Sequence, residues 1–365
     1  MYDIREIKGS NKGFGLFSTR NISAGEIVAK ELPLLVYPQA SLVQEICSHC
    51  LKDLWSKSSV VSCDTCSNAK FCDEQCKKTS LSDPGSHSNA VCRMMSCVCV
   101  SDASDETVSA LHLLSRYFGL LFDALDGEQH SKYRVEALQS LSEGNIDQLL
   151  RDNEYVTWLD DLYKRFLPVF EATNVGFHTL QSHVTSRDFV RSISIKDLVN
   201  AYGIRAPYRM GTDCSLIRGS ALYKDVSRIN HECLPNLARC EDFDSADTSM
   251  VFRTLHDLPA GEEITQSYFP LGWDFDNRQT RCSSVYGFTC SCPRCVMESG
   301  GSISNQNQDI VDEGYVSMFL LKYLCVDEEC EGTMVPIPGC LEKTLVCNVC
   351  SKTRNEAQFL SMLES

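Results

Sequence analysis

At 365 residues the chain is long enough for two or three domains around substantial cores. Its 43% hydrophobic and 23% charged content are those of an ordinary folded protein, and no apolar run of about 18 residues is present to cross a membrane. A net charge of −15 argues against a phosphate backbone as direct partner and suits a protein rich in lysine and arginine.

The N-terminus has no basic stretch followed by an apolar one, so no signal peptide is expected. The nucleus and/or cytoplasm, where thiols stay reduced, is the expected location. There, 21 cysteines in clustered pairs read as metal ligands rather than disulfides.

Residues 1–46 read as strands and turns, with Gly13-Phe14-Gly15, the turn Ile22-Ser23-Ala24-Gly25-Glu26 and the apolar run Leu32 to Tyr37. Residues 47–96 are dense in cysteine: Cys47-x2-Cys50, Cys63-x2-Cys66, Cys72-x3-Cys76, then His87 and Cys92. Eight ligands in short-spaced pairs suffice for two tetrahedral zinc ions. A segment with so few apolar side chains needs such staples to fold.

Ser101-Asp102-Ala103-Ser104-Asp105-Glu106 is an acidic, capping-prone helix opening. Val108, Leu111, Leu114, Phe118, Leu121, Phe122 and Leu125 then recur at three- and four-residue steps, predicting an amphipathic helix. Weaker helical patterning continues to about residue 200, with breaks expected at Pro168 and Gly176. Residues 97–195 therefore read as a helical insert.

Strand character returns around Ser249–Leu255, within a segment spanning 196–275. The turn Leu258-Pro259-Ala260-Gly261-Glu262 echoes Ile22–Glu26 more than 230 residues earlier. Two such turns between strand-like segments predict one β-rich domain split by the cysteine block and the helices. In 276–298, Cys290-x-Cys292-x2-Cys295 supplies three ligands, so a distant cysteine must complete a structural zinc. Residues 299–365 read as a Gly/Ser/Asn/Gln linker, a helix over Ile310–Leu324 and a zinc-ribbon-like module. The module's ligands are Cys325, Cys330, Cys347 and Cys350, with Cys340 a substitute for one.

The string Arg228-Ile229-Asn230-His231-Glu232-Cys233-Leu234-Pro235-Asn236 is similar to the signature of SET-domain lysine methyltransferases. Gly261-Glu262-Glu263-Ile264-Thr265-Gln266-Ser267-Tyr268 resembles that family's Gly-Glu-Glu-x4-Tyr segment, and Arg281, Tyr286, Phe288 and the 290–295 cysteines its post-SET region. Asn11-Lys12-Gly13-Phe14-Gly15 resembles its methyl-donor loop. The 47–92 block resembles a MYND zinc finger, departing from it in a longer gap before His87 and four residues between His87 and Cys92. A MYND finger between the halves of a SET domain is the layout of the SET-and-MYND (SMYD) family.

That resemblance implies an α+β fold, with a β-rich SET domain split by a MYND finger and a helical insert. It implies S-adenosylmethionine and about three to four zinc ions as cofactors. In the finger, Cys47, Cys50, Cys72 and Cys76 would bind one zinc and Cys63, Cys66, His87 and Cys92 another, with His49, Cys97 and Cys99 spare. Cys233 would complete the site of Cys290, Cys292 and Cys295. Tyr268 would orient the substrate amine and the methyl group, with Tyr286 and Tyr202 as channel walls. Lys12, Gly13, Phe14, Gly15, Asn200, Asn230, His231 and Phe288 would hold the donor, with Phe14 offering only its backbone.

The family's helical C-terminal lobe is missing, which predicts a more open substrate cleft. The expected activity is lysine methylation of a histone or another protein by a monomer, with proline-containing peptides as partners of the finger. The competing expectation is a non-catalytic adaptor built on the same two modules.

Overall fold

The computed structural model describes residues 1–8, 12–55, 59–66, 68–98, 100–173, 186–205, 216–241, 248–300, 312–340 and 343–363. Strands β1 (Tyr2–Glu6), β2 (Phe14–Ser18), β3 (Ile27–Glu31) and β4 (Leu35–Pro38) open the chain. The finger follows, with β5 (Val61–Ser62), β6 (Lys70–Phe71), α1 (Glu74–Ser82) and α2 (Asn89–Cys97). Next come α3 (Asp105–Leu125), α4 (Gln129–Gln139), α5 (Ile146–Leu149), α6 (Asn153–Thr173) and α7 (Arg187–Asn200).

The chain then returns to strands: β7 (Tyr202–Arg205), β8 (Ile217–Leu222), β9 (Asn230–His231), β10 (Leu237–Glu241), β11 (Met250–Thr254) and β12 (Glu263–Gln266). Helix α8 (Phe275–Arg281), a π-turn over Cys282–Tyr286 and α9 (Pro293–Glu298) precede α10 (Glu313–Tyr323). The last elements are β13 (Met334–Pro336), β14 (Leu345–Cys347), β15 (Thr353–Arg354) and α11 (Glu356–Leu363).

Strands from the two ends of the split domain interleave in every sheet of its core. The sheets run β1-β2-β12-β9, β10-β11-β3 and β4-β8-β7. All these pairings are antiparallel except β12–β9, which is parallel and sets Thr265 beside Asn230 and Gln266 beside His231. The two echoing turns lie back to back: Ile22 N–H donates to the Leu258 carbonyl at 2.9 Å, and Leu258 N–H returns the bond at 2.8 Å. Gly25 and Gly261 occupy the left-handed region at φ 79° and 90°, which a side chain would strain. Leu16, Ile22, Val28, Ile229, Phe252, Leu258 and Ile264 bury together beneath these sheets.

Ser104 caps α3 by accepting from Thr107 N–H, and the predicted apolar stripe packs into a second core with α4, α6 and α7. Helix α3 is the one described helix long and apolar enough to cross a membrane, and most of that stretch is buried in this core. Pro168 does not break the chain; it sits inside α6. Its lost N–H and steric clash cost about 3 kcal/mol. Leu162, Phe166, Val169 and Phe170 are all buried, at about 1.5–3 kcal/mol each, with Phe166 and Phe170 packed on Phe118 at 5.3 and 5.1 Å between centroids. Burial wins, and the helix continues. Gly176 lies outside the described residues.

Buried arginines tie the parts together. Arg116 of α3 donates to the carbonyls of Val36 and Ser48, and Arg134 of α4 to that of Leu34. The predicted final helix is α10. Its Phe319 and Tyr323 bury with Val335 against Ala238, Leu255 and Leu271 of the split domain.

Candidate active site and zinc centres

Among the described residues four groups of donors converge, each with its ligand atoms within 4.8 Å of one another. They are Cys47, Cys50, Cys72 and Cys76; Cys63, Cys66, His87 and Cys92; Cys233, Cys290, Cys292 and Cys295; and Cys325, Cys330, Cys347 and Cys350. A tetrahedral zinc with bonds of about 2.3 Å sets sulfurs about 3.8 Å apart. Observed separations include 3.8 Å for Cys50–Cys72, 3.9 Å for Cys63–Cys92, 3.9 Å for Cys233–Cys290 and 3.7 Å for Cys330–Cys347.

The chemistry of the donors agrees. The hydrogen bond between Cys47 and Cys50 pulls the Cys47 thiol down to about 5 and pushes Cys50 up, so the pair cannot both ionise without a cation between them. Burial holds His87 at about 4, leaving the neutral imidazole that a metal requires. All four groups can therefore bind zinc. His49 instead faces the Ser86 hydroxyl at 3.3 Å, and Cys340 faces Thr344 at 3.4 Å. Cys97 belongs to none of the groups, and Cys99 lies outside the described residues.

The post-SET zinc group is wired directly to the Asn-His strand. Burial drops His231 to about 3, so it is neutral at physiological pH. Its Nδ1 accepts from Tyr268 N–H at 3.2 Å, which leaves the proton on Nε2, 3.3 Å from Cys233 Sγ. One ring thus joins the zinc ligand to the backbone of Tyr268. The Tyr268 ring lies 4.7 Å from Tyr286, and His231 lies 6.1 Å from Phe288.

The phenol of Tyr268 donates to the Ile229 carbonyl at 3.1 Å. Burial raises its pKa well above the usual tyrosine value, so it stays protonated. Tyr202 donates to the Val226 carbonyl at 2.9 Å and accepts from the Gln266 amide. Its ring packs edge-on to Tyr223 and Phe252.

Asn230 and the segment Lys12–Gly15 meet at the start of β2. Asn230 Nδ2 donates to the Phe14 carbonyl at 3.0 Å and to Glu263 at 2.9 Å. Lys12 pairs with the other Glu263 oxygen at 2.8 Å. Gly13 accepts from Ile7 N–H at 2.7 Å, and Gly15 sits opposite Arg5 in the β1–β2 ladder. The Phe14 side chain is exposed beneath the Arg228 guanidinium at 5.7 Å. Asn200 spends both amide hydrogens on the carbonyls of Ser142 and Lys196, at 2.7 Å each. It therefore braces the turn after α4 and offers only its oxygen elsewhere.

Tyr202, Gln266, Tyr268 and Tyr286 line a cleft of about 500 Å³. Its other wall includes Glu329, Glu331, Thr333, Asn348 and Val349 of the C-terminal module. Residues of the C-terminal module thus wall one side of the cleft that the sequence predicts to be more open. Sequence reasoning missed this wall, and it missed Gln266 and Arg239 in the cleft lining. Gln266 could have been flagged by its place two residues before Tyr268.

The SET domain family model matches residues 13–269. The chain belongs to the SET domain family. Histone-lysine N-methyltransferase ASHR2 of Arabidopsis thaliana is 27% identical, with 97% of this chain and 95% of that protein covered. A SET and MYND domain-containing protein of Dictyostelium discoideum is 25% identical over 95% of both chains. N-lysine methyltransferase SMYD2 of Gallus gallus is 25% identical over 79% of this chain and 58% of its own length. A crystal structure of the SET domain of LSMT bound to lysine and AdoHcy aligns with 79% of this chain and about half of its own, at 53%. Its 12% identity and TM-score of 0.31 make the likeness remote, and the family assignment stands without it.

Proposed function

We propose that this protein is an S-adenosylmethionine-dependent protein-lysine N-methyltransferase. The observation that carries the reading is the convergence of Tyr202, Tyr268 and Tyr286 on one cleft, with Asn230-His231 threaded against the Tyr268 segment. Relatives named histone-lysine and N-lysine methyltransferases support it.

The donor set suits a charged nucleoside: a cation at Lys12, the amide of Asn230 and the aromatic face of Phe288. Lys12, Gly13, Phe14, Gly15, Asn200, Asn230, His231 and Phe288 would hold the donor, and Lys12 would exchange Glu263 for its carboxylate. What S-adenosylmethionine supplies when bound is a methyl group on a sulfonium, open to in-line attack by a neutral amine.

Tyr268 cannot act as the base, because its phenol is itself held protonated. Its oxygen, already donating to Ile229, keeps lone pairs that can accept from the substrate amine and fix its direction. Tyr286 and Tyr202 confine the aliphatic stem. The substrate amine, at an ordinary pKa of about 10.4, gives up its proton to solvent at the mouth before attack. Methylation of histone or other protein lysines, action as a monomer, location in the nucleus and/or cytoplasm, and proline-containing peptides at the finger belong to the same proposal.

Labelled S-adenosylmethionine and a lysine-peptide array test it. Tyr268→Phe, in a folded protein that still binds donor, is expected to lower transfer by about 10²-fold or more. Equal labelling by wild type and variant would remove Tyr268 from catalysis. Donor binding without labelling of any peptide would favour the adaptor.

A further inference from the structure

We propose that the C-terminal zinc module is a positioning element for the substrate cleft, acting through Asn348 on β10. The inference rests on the catalytic reading above for what the cleft holds, and on geometry for the rest.

Asn348 lies between two of the module's ligands, Cys347 and Cys350. The Cys347 sulfur accepts from the N–H groups of Val349 and Cys350 at 3.4 and 3.5 Å, so a bound ion fixes this loop's shape. The Asn348 carboxamide divides its bonds. Its oxygen accepts from Thr333 N–H at 2.7 Å, inside the module. Its nitrogen donates to the Arg239 carbonyl at 2.6 Å, in β10 of the split domain.

Arg239 carries the contact inward. Its guanidinium donates to the Gly203 carbonyl and lies 5.7 Å over the Tyr202 ring. Tyr202 in turn accepts from Gln266, whose strand leads into Tyr268. Asn348, Arg239, Gly203, Tyr202, Gln266 and Tyr268 all line the cleft. The relay therefore runs along one wall of this cleft and ends at Gln266, which pairs with His231 in the β12–β9 ladder. Among the described residues the module has three short strands, and cysteines make up half of its small buried core. Without the ion it has little to hold this loop in place.

The test uses full-length protein carrying Asn348→Ala or Asn348→Asp. The aspartate keeps the acceptor for Thr333 and loses the donor to Arg239. Zinc content and calorimetric affinity for S-adenosylmethionine establish that each variant is loaded and folded. Hydrogen exchange is then expected to quicken in 201–205 and 266–271 and to stay unchanged in 290–295. With a lysine peptide, KM rises about tenfold while kcat stays within about twofold, the size of one buried hydrogen bond. Cys350→Ser, which loosens the whole loop, shows the same pattern more strongly.

Unchanged exchange in 201–205 and 266–271 with wild-type zinc content overturns the proposal. So does a loss confined to kcat, or to donor affinity. If the wild type methylates no peptide, the catalytic reading fails, and the exchange result alone decides whether Asn348 positions this wall.

Discussion

Replacing Cys233 by alanine removes one ligand from the post-SET zinc group and one acceptor from His231 at the same time. A structural zinc contributes about 10–16 kcal/mol of binding free energy, so one ligand in four corresponds to roughly 2.5–4 kcal/mol. That is a loss of about 10²–10³ in metal affinity. His231 then keeps a buried Nε2–H facing an alanine, at a further cost of about 1–3 kcal/mol. The damage reaches the channel because Tyr286 and Phe288 lie between Cys282 and Cys290. They are anchored there by the Phe288 N–H bond to the Cys282 carbonyl at 3.1 Å and by the two Gln279 bonds to Cys290. Chelator competition followed by a colorimetric zinc assay should release one ion of the four first, and donor affinity should fall by about tenfold or more. A Cys233→Ala protein that keeps four zincs at wild-type affinity and binds donor normally would falsify the coupling of zinc to pocket.

Other outcomes follow from buried groups away from the zinc sites. Asp197 is buried with one oxygen receiving the Tyr37 hydroxyl at 2.6 Å and the other without a hydrogen-bond partner among the described residues. Burial raises its pKa from 3.8 to about 7. The folded state therefore binds this proton more tightly than the unfolded state. Its stabilising effect is complete below about pH 4 and is lost as pH rises through about 7. Asp197→Asn should flatten that part of the stability profile and gain on the order of 4 kcal/mol above pH 8. A wild-type-minus-variant urea series across pH 5–8 with no slope would show that Asp197 does not carry the charge change.

Gly25→Ala places a methyl group 2.5 Å from the Pro336 carbonyl of β13 in a left-handed turn at φ 79°. A loss of about 2–3 kcal/mol and faster exchange in β13 are expected. A loss under about 0.5 kcal/mol would mean that the module is not seated on this turn. Metal analysis of the intact chain should give four zincs, one per converged group, and two or fewer would undo the ligand sets.

Much of this protein could be read from local pattern. The 3.6-residue stripe from Val108 to Leu125 makes α3 because one face of a helix is the only local way to bury those side chains together. The short cysteine spacings announce metal turns for a similar reason: two ligands from one tight turn can grip one ion. The Asn230–Cys233 string and the segment ending at Tyr268 were legible as motifs. Pro168 was misread because a local breaker was weighed without the aromatic cluster that outweighs it.

What sequence alone determined was local pattern: the cysteine pairs that can grip metal, the Asn-His string, the segment ending at Tyr268 and the two echoing turns. Only the tertiary structure decided how they act together. It set His231 between Cys233 and the Tyr268 backbone, turned the amide of Asn200 onto Ser142 and Lys196, and placed Asn348 of the last zinc loop in the wall of the cleft. Those outcomes depend on hydrogen bonds between residues tens to hundreds of positions apart. No helical or strand period encodes such pairings, and they exist only once the sheets have closed on each other.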